Sequence, residues 1–187
     1  MQADFAVELG RDDETLEMPW AGDAGEPKYY DVKRHPELLR AVEEGQRFPE
    51  LGEFLAVVNS AGSRLETAKC DAWVSTEINP EEEIFGTPCK FGFYVDLLFC
   101  DESARFTFTE HESWAKQLTE LLKNAPEIPA AAEFLVRRCY YHVTEGMRDG
   151  FYITFYLFGY GEDEVQARRH WAIGLKLAEN AIRQALS

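Results

Sequence analysis

Gly92-Phe93-Tyr94-Val95 recurs 58 residues later as Gly150-Phe151-Tyr152-Ile153, and each copy is followed by a helix-patterned segment carrying a tryptophan, Trp114 and Trp171, 57 residues apart. A near-constant offset suggests one structural unit built twice, and it favours architectures in which a hairpin of strands leads into a helix. The repeats are expected over about residues 66–125 and 133–186.

Period-two alternation marks the strands. Residues 3–9 place Ala3, Phe5, Val7 and Leu9 on one side, and the same alternation returns in 66–76, 90–99, 134–143 and 150–160, with a short further strand at Arg105 to Thr109. Helical spacing appears from Pro36 to Gly45, from Pro49 to Val58, around Trp114, Leu118, Leu121 and Leu122, and from Asp163 to Leu186. Thr109-Glu110-His111-Glu112 fits a capping box. Residues 10–34 hold glycine, proline and many acids without a period, and read as an irregular loop or wrap; a turn is expected at Glu145 to Asp149.

The fold class that follows is α+β: one domain over 1–187, a mainly antiparallel sheet with helices on one face, and two ββα-type repeats after an N-terminal β-α-α segment. With 45% hydrophobic and 13% aromatic residues the chain can fill a core, which excludes a disordered class. No apolar run approaches the roughly 18 residues that would span a bilayer. Nothing in the first residues resembles a basic and apolar leader, so a cytoplasmic location is expected, and Cys70, Cys89, Cys100 and Cys139 read as core thiols.

The net charge of −15 is concentrated early: acids outnumber bases 14 to 6 in residues 1–60, 12 to 6 in 61–126 and 8 to 7 in 127–187. Such a balance disfavours direct nucleic-acid binding through a basic footprint.

Alternation divides each strand between two faces. One list is mostly aliphatic and suits the helices. The other gathers Trp73, Tyr94, Tyr140, Tyr152, Tyr156 and Tyr160 with Asp71, Asp96, Arg138 and His142, a mixture typical of ligand sites and interfaces and also of a plain solvated face. The assignment of 134–143 puts Arg137 on the helix side, which a bulge would reverse.

Motif tests exclude several chemistries. His111-Glu112 starts like a zinc-protease helix, but Ala115 stands where the second histidine is needed. Cys139 and His142 are an odd number of residues apart on a strand. Gly159-Tyr160-Gly161 precedes a helix, but Glu162, Asp163 and Glu164 would repel phosphate and suit capping instead. No metal site or cofactor is expected.

The residues therefore predict a protein that acts by binding, as a homo-oligomer or a partner-binding module, through the aromatic and polar sheet face. The alternative is a small-molecule enzyme or ligand-binding protein using that face under the 10–34 segment, with His142 as acid or base, Asp96 or Asp71 orienting it and Arg138 holding an anion. A weaker alternative is an acidic inhibitor or immunity-type protein for a basic partner.

Overall fold

The computed structural model describes residues 1–20, 29–144 and 146–186. Residues 21–28 of the expected wrap, and Glu145 of the expected turn, lie outside the described residues. The strands are β1 (Gln2–Glu8), β2 (Thr15–Met18), β3 (Leu65–Ser75), β4 (Cys89–Phe99), β5 (Ala130–Val143) and β6 (Gly146–Gly161). The helices are α1 (Glu43–Arg47), α2 (Pro49–Val58), α3 (Glu102–Arg105), α4 (Phe108–Lys123) and α5 (Glu164–Ala185), with 3-10 turns at Pro36–Ala41 and Pro80–Phe85.

The fold is α+β. Its six-stranded mixed sheet has the order β1-β5-β6-β4-β3, and β2 follows β1 along the same edge of β5. β1 and β2 run parallel to β5, whereas the β3–β4, β4–β6 and β5–β6 pairs are antiparallel. The sheet is thus mostly antiparallel, and β2 lies inside the segment expected to be irregular.

The buried stripes of α2, α4 and α5 share one core with one face of the sheet. Phe93 lies at its centre, its ring 6.1 Å from Phe54, 5.4 Å from Phe155 and 5.8 Å from Trp171. Burial of each such side chain contributes about 1.5–3 kcal/mol, and the edge-to-face geometry matches the ring quadrupoles. Helix α5 lies directly on β6 because Gly159 has no side chain: a Cβ there would sit 2.2 Å from the Trp171 amide nitrogen. The Gly159 and Gly161 pair is therefore part of a strand under a helix. Asp163 caps α5, its Oδ1 accepting from the Gln166 amide at 2.8 Å.

The two recurrent glycines share a steric role. A Cβ at Gly92 would come 2.9 Å from the Trp73 ring, and one at Gly150 would come 2.7 Å from the Tyr141 ring. Each lets an aromatic side chain lie across the strand on the face away from the main core, and at Gly150 the Arg105 carbonyl at the end of α3 also closes in, 2.8 Å from such a Cβ.

The expected strand at 105–109 is not formed. Asp101 caps α3, its Oδ1 accepting from the Ala104 amide at 2.9 Å, and Thr107 is the N-cap residue of α4. The expected capping pair, Thr109 and Glu112, consequently falls inside α4. Alternating Phe106 and Phe108 do serve opposite sides, Phe106 meeting Tyr141 at 5.4 Å and Phe108 meeting Phe151 at 5.6 Å, but a break between two helices separates them. The expected 145–149 turn is shorter, since Gly146 to Asp149 belong to β6.

Candidate functional site

The sheet face turned away from the main core is built in transverse rows, because directly opposed residues of paired strands project to the same side. One row reads Asp71 (β3), Tyr94 (β4), Tyr156 (β6) and Glu133 (β5). On one side of it lies the row Trp73, Gly92, Phe158; on the other lies Asp96, Thr154, Leu135. Beyond these, Arg137 stands opposite Tyr152.

The two ends of this face are closed by the chain itself. Leu16 and Met18 of β2 pack on Leu98, Cys139, Tyr141 and Tyr152, with Trp20, Tyr29 and Phe106 alongside. At the far end Phe85 stacks on Tyr160 at 4.0 Å, and Glu82 accepts from the Tyr160 hydroxyl at 2.8 Å and from Lys90 Nζ at 2.8 Å. Despite its burial, Glu82 is held below the usual carboxylate range by the Lys90 bond.

Between the closed ends runs a half-exposed aromatic strip. Trp73 meets Phe158 at 6.2 Å, Phe158 stacks on Tyr156 at 6.2 Å, and Tyr156 meets Tyr94 at 5.7 Å. Past Tyr94 the strip opens into a cleft of about 630 Å³ between the bulged edge of β3, at Ala68 and Lys69, and Trp20, Tyr30 and Val32.

One row from the tyrosine pair, toward β2, lies Asp96, 2% exposed and paired with Thr154 across the strands. Its Oδ1 accepts a hydrogen bond from the Thr154 hydroxyl at 2.9 Å, and no cation approaches it within ion-pair distance among the described residues. Burial pushes its carboxyl up to about 7, with the Thr154 bond opposing and Glu14 adding to the rise. Arg137 is engaged elsewhere: its Nε donates to Glu8 at 2.7 Å and its Nη1 to Glu14 at 2.9 Å and to the Thr154 hydroxyl at 3.2 Å. The Tyr152 hydroxyl is buried near the Thr154 hydroxyl; burial and then the Asp96 charge raise the phenol, with the Thr154 contact opposing.

The predicted residues divide between the two faces. Asp71, Trp73, Tyr94, Asp96, Tyr152, Tyr156 and Tyr160 share the face described above. Arg138, Tyr140 and His142 do not, because the register sets them opposite Phe151, Asp149 and Met147 on the other side of the sheet. There His142 Nε2 contacts Glu17 at 2.5 Å, and Arg138 and Tyr140 line a recess of about 310 Å³ with Asp149 and Phe151. His142, Arg138 and Asp96 therefore form no common catalytic set.

Alternation puts Thr154 and Phe158 on this face without marking them as site residues, assigns Arg137 to the helix side, and gives no sign of Glu14 or Glu133. A signal for Arg137 was present in its apolar neighbours of like parity, Leu135, Cys139 and Tyr141. Comparisons with family models, with curated proteins and with solved structures find no match for this chain.

Proposed function

We propose that this protein is a binding protein whose site is the half-exposed aromatic strip, with the buried Asp96 one row away and the neighbouring cleft as its approach. The observation that carries the reading is Asp96. A carboxyl taken out of water without a cation costs stability, and groups kept in that condition concentrate at functional sites. A purely structural design would bring Arg137 to Asp96, but that guanidinium is bonded to Glu8 and Glu14.

Aromatic side chains that are half buried, rigid and spaced across two adjacent rows offer a flat apolar surface at low entropic cost. The strip has closed ends, which favours an occupant of limited length over a broad protein partner. Catalysis draws less support: Asp96 is the buried ionisable group beside the strip, and the histidine expected to work with it faces the other side.

The test is the Asp96→Asn variant, which keeps the Thr154 hydrogen bond and removes the charge. A functional carboxyl predicts a more stable protein with altered ligand binding; a structural one predicts a less stable protein. Light scattering of the wild type separates a ligand from a second copy of the chain. A dimer that Tyr156→Arg splits into monomers would overturn the ligand reading in favour of self-association.

A further inference from the structure

We infer that the cleft beside the strip takes a small zwitterion, an α-amino acid with an apolar side chain, its carboxylate met by Lys69 and its ammonium group by Glu44. The inference rests on the binding reading above and adds the class of ligand and the seat of its charged head.

The cleft has the size and lining of a small-molecule site. Its volume of about 630 Å³ lies within the roughly 300–1,000 Å³ usual for such sites. Trp20, Val32, Leu55 and Tyr94 give it apolar walls, and Tyr94 joins it to the strip. Lys69 enters from β3 and Glu44 from α1.

Those two charges decide the class. Lys69 has no carboxylate at ion-pair distance among the described residues; its Nζ lies 5.5 Å from the centre of the Trp20 ring. Glu44 has no cation at that distance, and neither does Glu43 beside it. Lys69 and Glu44 are both half-buried, so an unmatched charge costs more there than in open solvent. Burial and then the Glu44 charge raise the Cys70 thiol, which places Glu44 near the residue that follows Lys69. The two charges line one cleft without pairing across it. A purely anionic ligand would meet Glu43 and Glu44, and a purely cationic one would meet Lys69. A neutral ligand would strip water from both groups and replace it with nothing. Only a molecule carrying both signs matches both walls.

The backbone supplies an observation independent of the charges. Between Thr67↔Leu97 and Cys70↔Val95 the β3–β4 register skips, so Ala68 and Lys69 together stand opposite Asp96. Such a bulge re-aims a side chain, and bulges recur beside functional sites. A structural lysine at this place would close on the buried Asp96. Instead Lys69 lies over an indole ring at the wall of the cleft.

The experiment titrates three probes into the full chain at neutral pH: L-phenylalanine, phenylpropionate, which lacks the ammonium group, and phenethylamine, which lacks the carboxylate. The indole N–H signal of Trp20, identified with Trp20→Phe, reports binding by NMR. Phenylalanine is expected to saturate and to bind roughly tenfold tighter than either analogue. Lys69→Met is expected to weaken phenylalanine and phenylpropionate and to spare phenethylamine; Glu44→Gln is expected to weaken phenylalanine and phenethylamine and to spare phenylpropionate. An analogue that binds as tightly as phenylalanine would overturn the zwitterion and leave a binding site standing. Phenylalanine binding that neither substitution weakens would remove the ligand from this cleft and refute the inference. Binding of no probe, with Asp96→Asn the more stable protein, would overturn the ligand class alone. Binding of no probe, with Asp96→Asn the less stable protein, would overturn the binding reading as well.

Discussion

Asp96 and Arg137 do not touch: the hydroxyl of Thr154 stands between them, donating to Asp96 Oδ1 at 2.9 Å and accepting from Arg137 Nη1 at 3.2 Å. One methyl-bearing side chain thus separates a buried acid from the cation that could have neutralised it. The guanidinium stabilises the Glu8 and Glu14 edge, and the acid stays beside the aromatic strip.

That separation makes stability depend on pH in a definite sense. Asp96 is raised from 3.8 to about 7, so the folded state holds its proton more tightly than the unfolded chain. Below the unfolded value both states are protonated and nothing is lost. Between about pH 4 and 7 the unfolded state ionises first and stability falls as pH rises. The wild type is expected to lose roughly 2–4 kcal/mol through Asp96 across that window. Glu133, raised chiefly by burial, acts in the same direction, whereas Glu50 and Glu82, lowered by Arg168 and Lys90 against the effect of burial, act oppositely. Urea unfolding of wild type and Asp96→Asn at a series of pH values isolates the term; a gap that fails to widen above pH 4 would contradict it.

Arg137→Met should weaken the protein by about 2–3 kcal/mol, because Glu8 and Glu14 lose their common cation at a side chain 9% exposed. The loss should be local as well as global. Limited proteolysis is expected to cut within residues 9–14 in the variant before it cuts the wild type, and identical cleavage patterns would refute a pinning role.

Two glycine substitutions should differ sharply. Gly159→Ala drives a Cβ into the backbone of α5, 2.2 Å from the Trp171 nitrogen and 2.3 Å from the Ala167 oxygen, so helix and strand must part. A loss above about 4 kcal/mol, or failure to fold, is expected. Gly92→Ala meets only the Trp73 and Phe158 side chains and should cost about 1–3 kcal/mol while shifting tryptophan emission. The reverse ranking in thermal unfolding would show that the close approach of α5 to β6 is wrongly described.

Phe93→Ala should cost about 3–5 kcal/mol, since it opens a cavity between three aromatic neighbours in the fully buried core. Tyr156→Leu, on the half-exposed strip, should cost under about 1.5 kcal/mol. Denaturant midpoints with a common slope measure both. Similar losses at the two positions would mean that the strip is part of the core.

Much of the framework was legible because its signals are local. Period-two alternation located β1, β3, β4, β5 and most of β6, and 3.6-residue spacing located α2, which also has a proline start, α4 and α5. The 105–109 segment misled because five alternating residues fit a strand as well as a helix break. β2 was hidden among acids and turn residues, since four residues beside a long strand need little pattern of their own.

The face assignment of β5 shows the limit most clearly. Its even positions, Ala130 to Val136, belong to the main core, but the strand runs on past the helices, and there Arg138 and His142 are exposed. Its odd positions are buried from Leu135 to Tyr141, with Cys139 and Tyr141 in the cluster that includes Leu16 and Met18 of β2, whereas Glu133 is exposed. Polarity changes sides midway although the pleat does not, and a reading by polarity exchanged Arg137 with Arg138.

By itself, then, the amino-acid sequence determined the α+β class, the positions of most strands and helices, and the gathering of Tyr94, Asp96 and Tyr156 on one side of their strands. Tertiary structure alone decided that Thr154 would come between Asp96 and Arg137, that Glu14 would reach Arg137, and that His142 would face away. Alternation is a property of neighbouring peptide units and can be read along the chain. Register and cover arise from pairings between residues dozens of positions apart, whose energies no local pattern records.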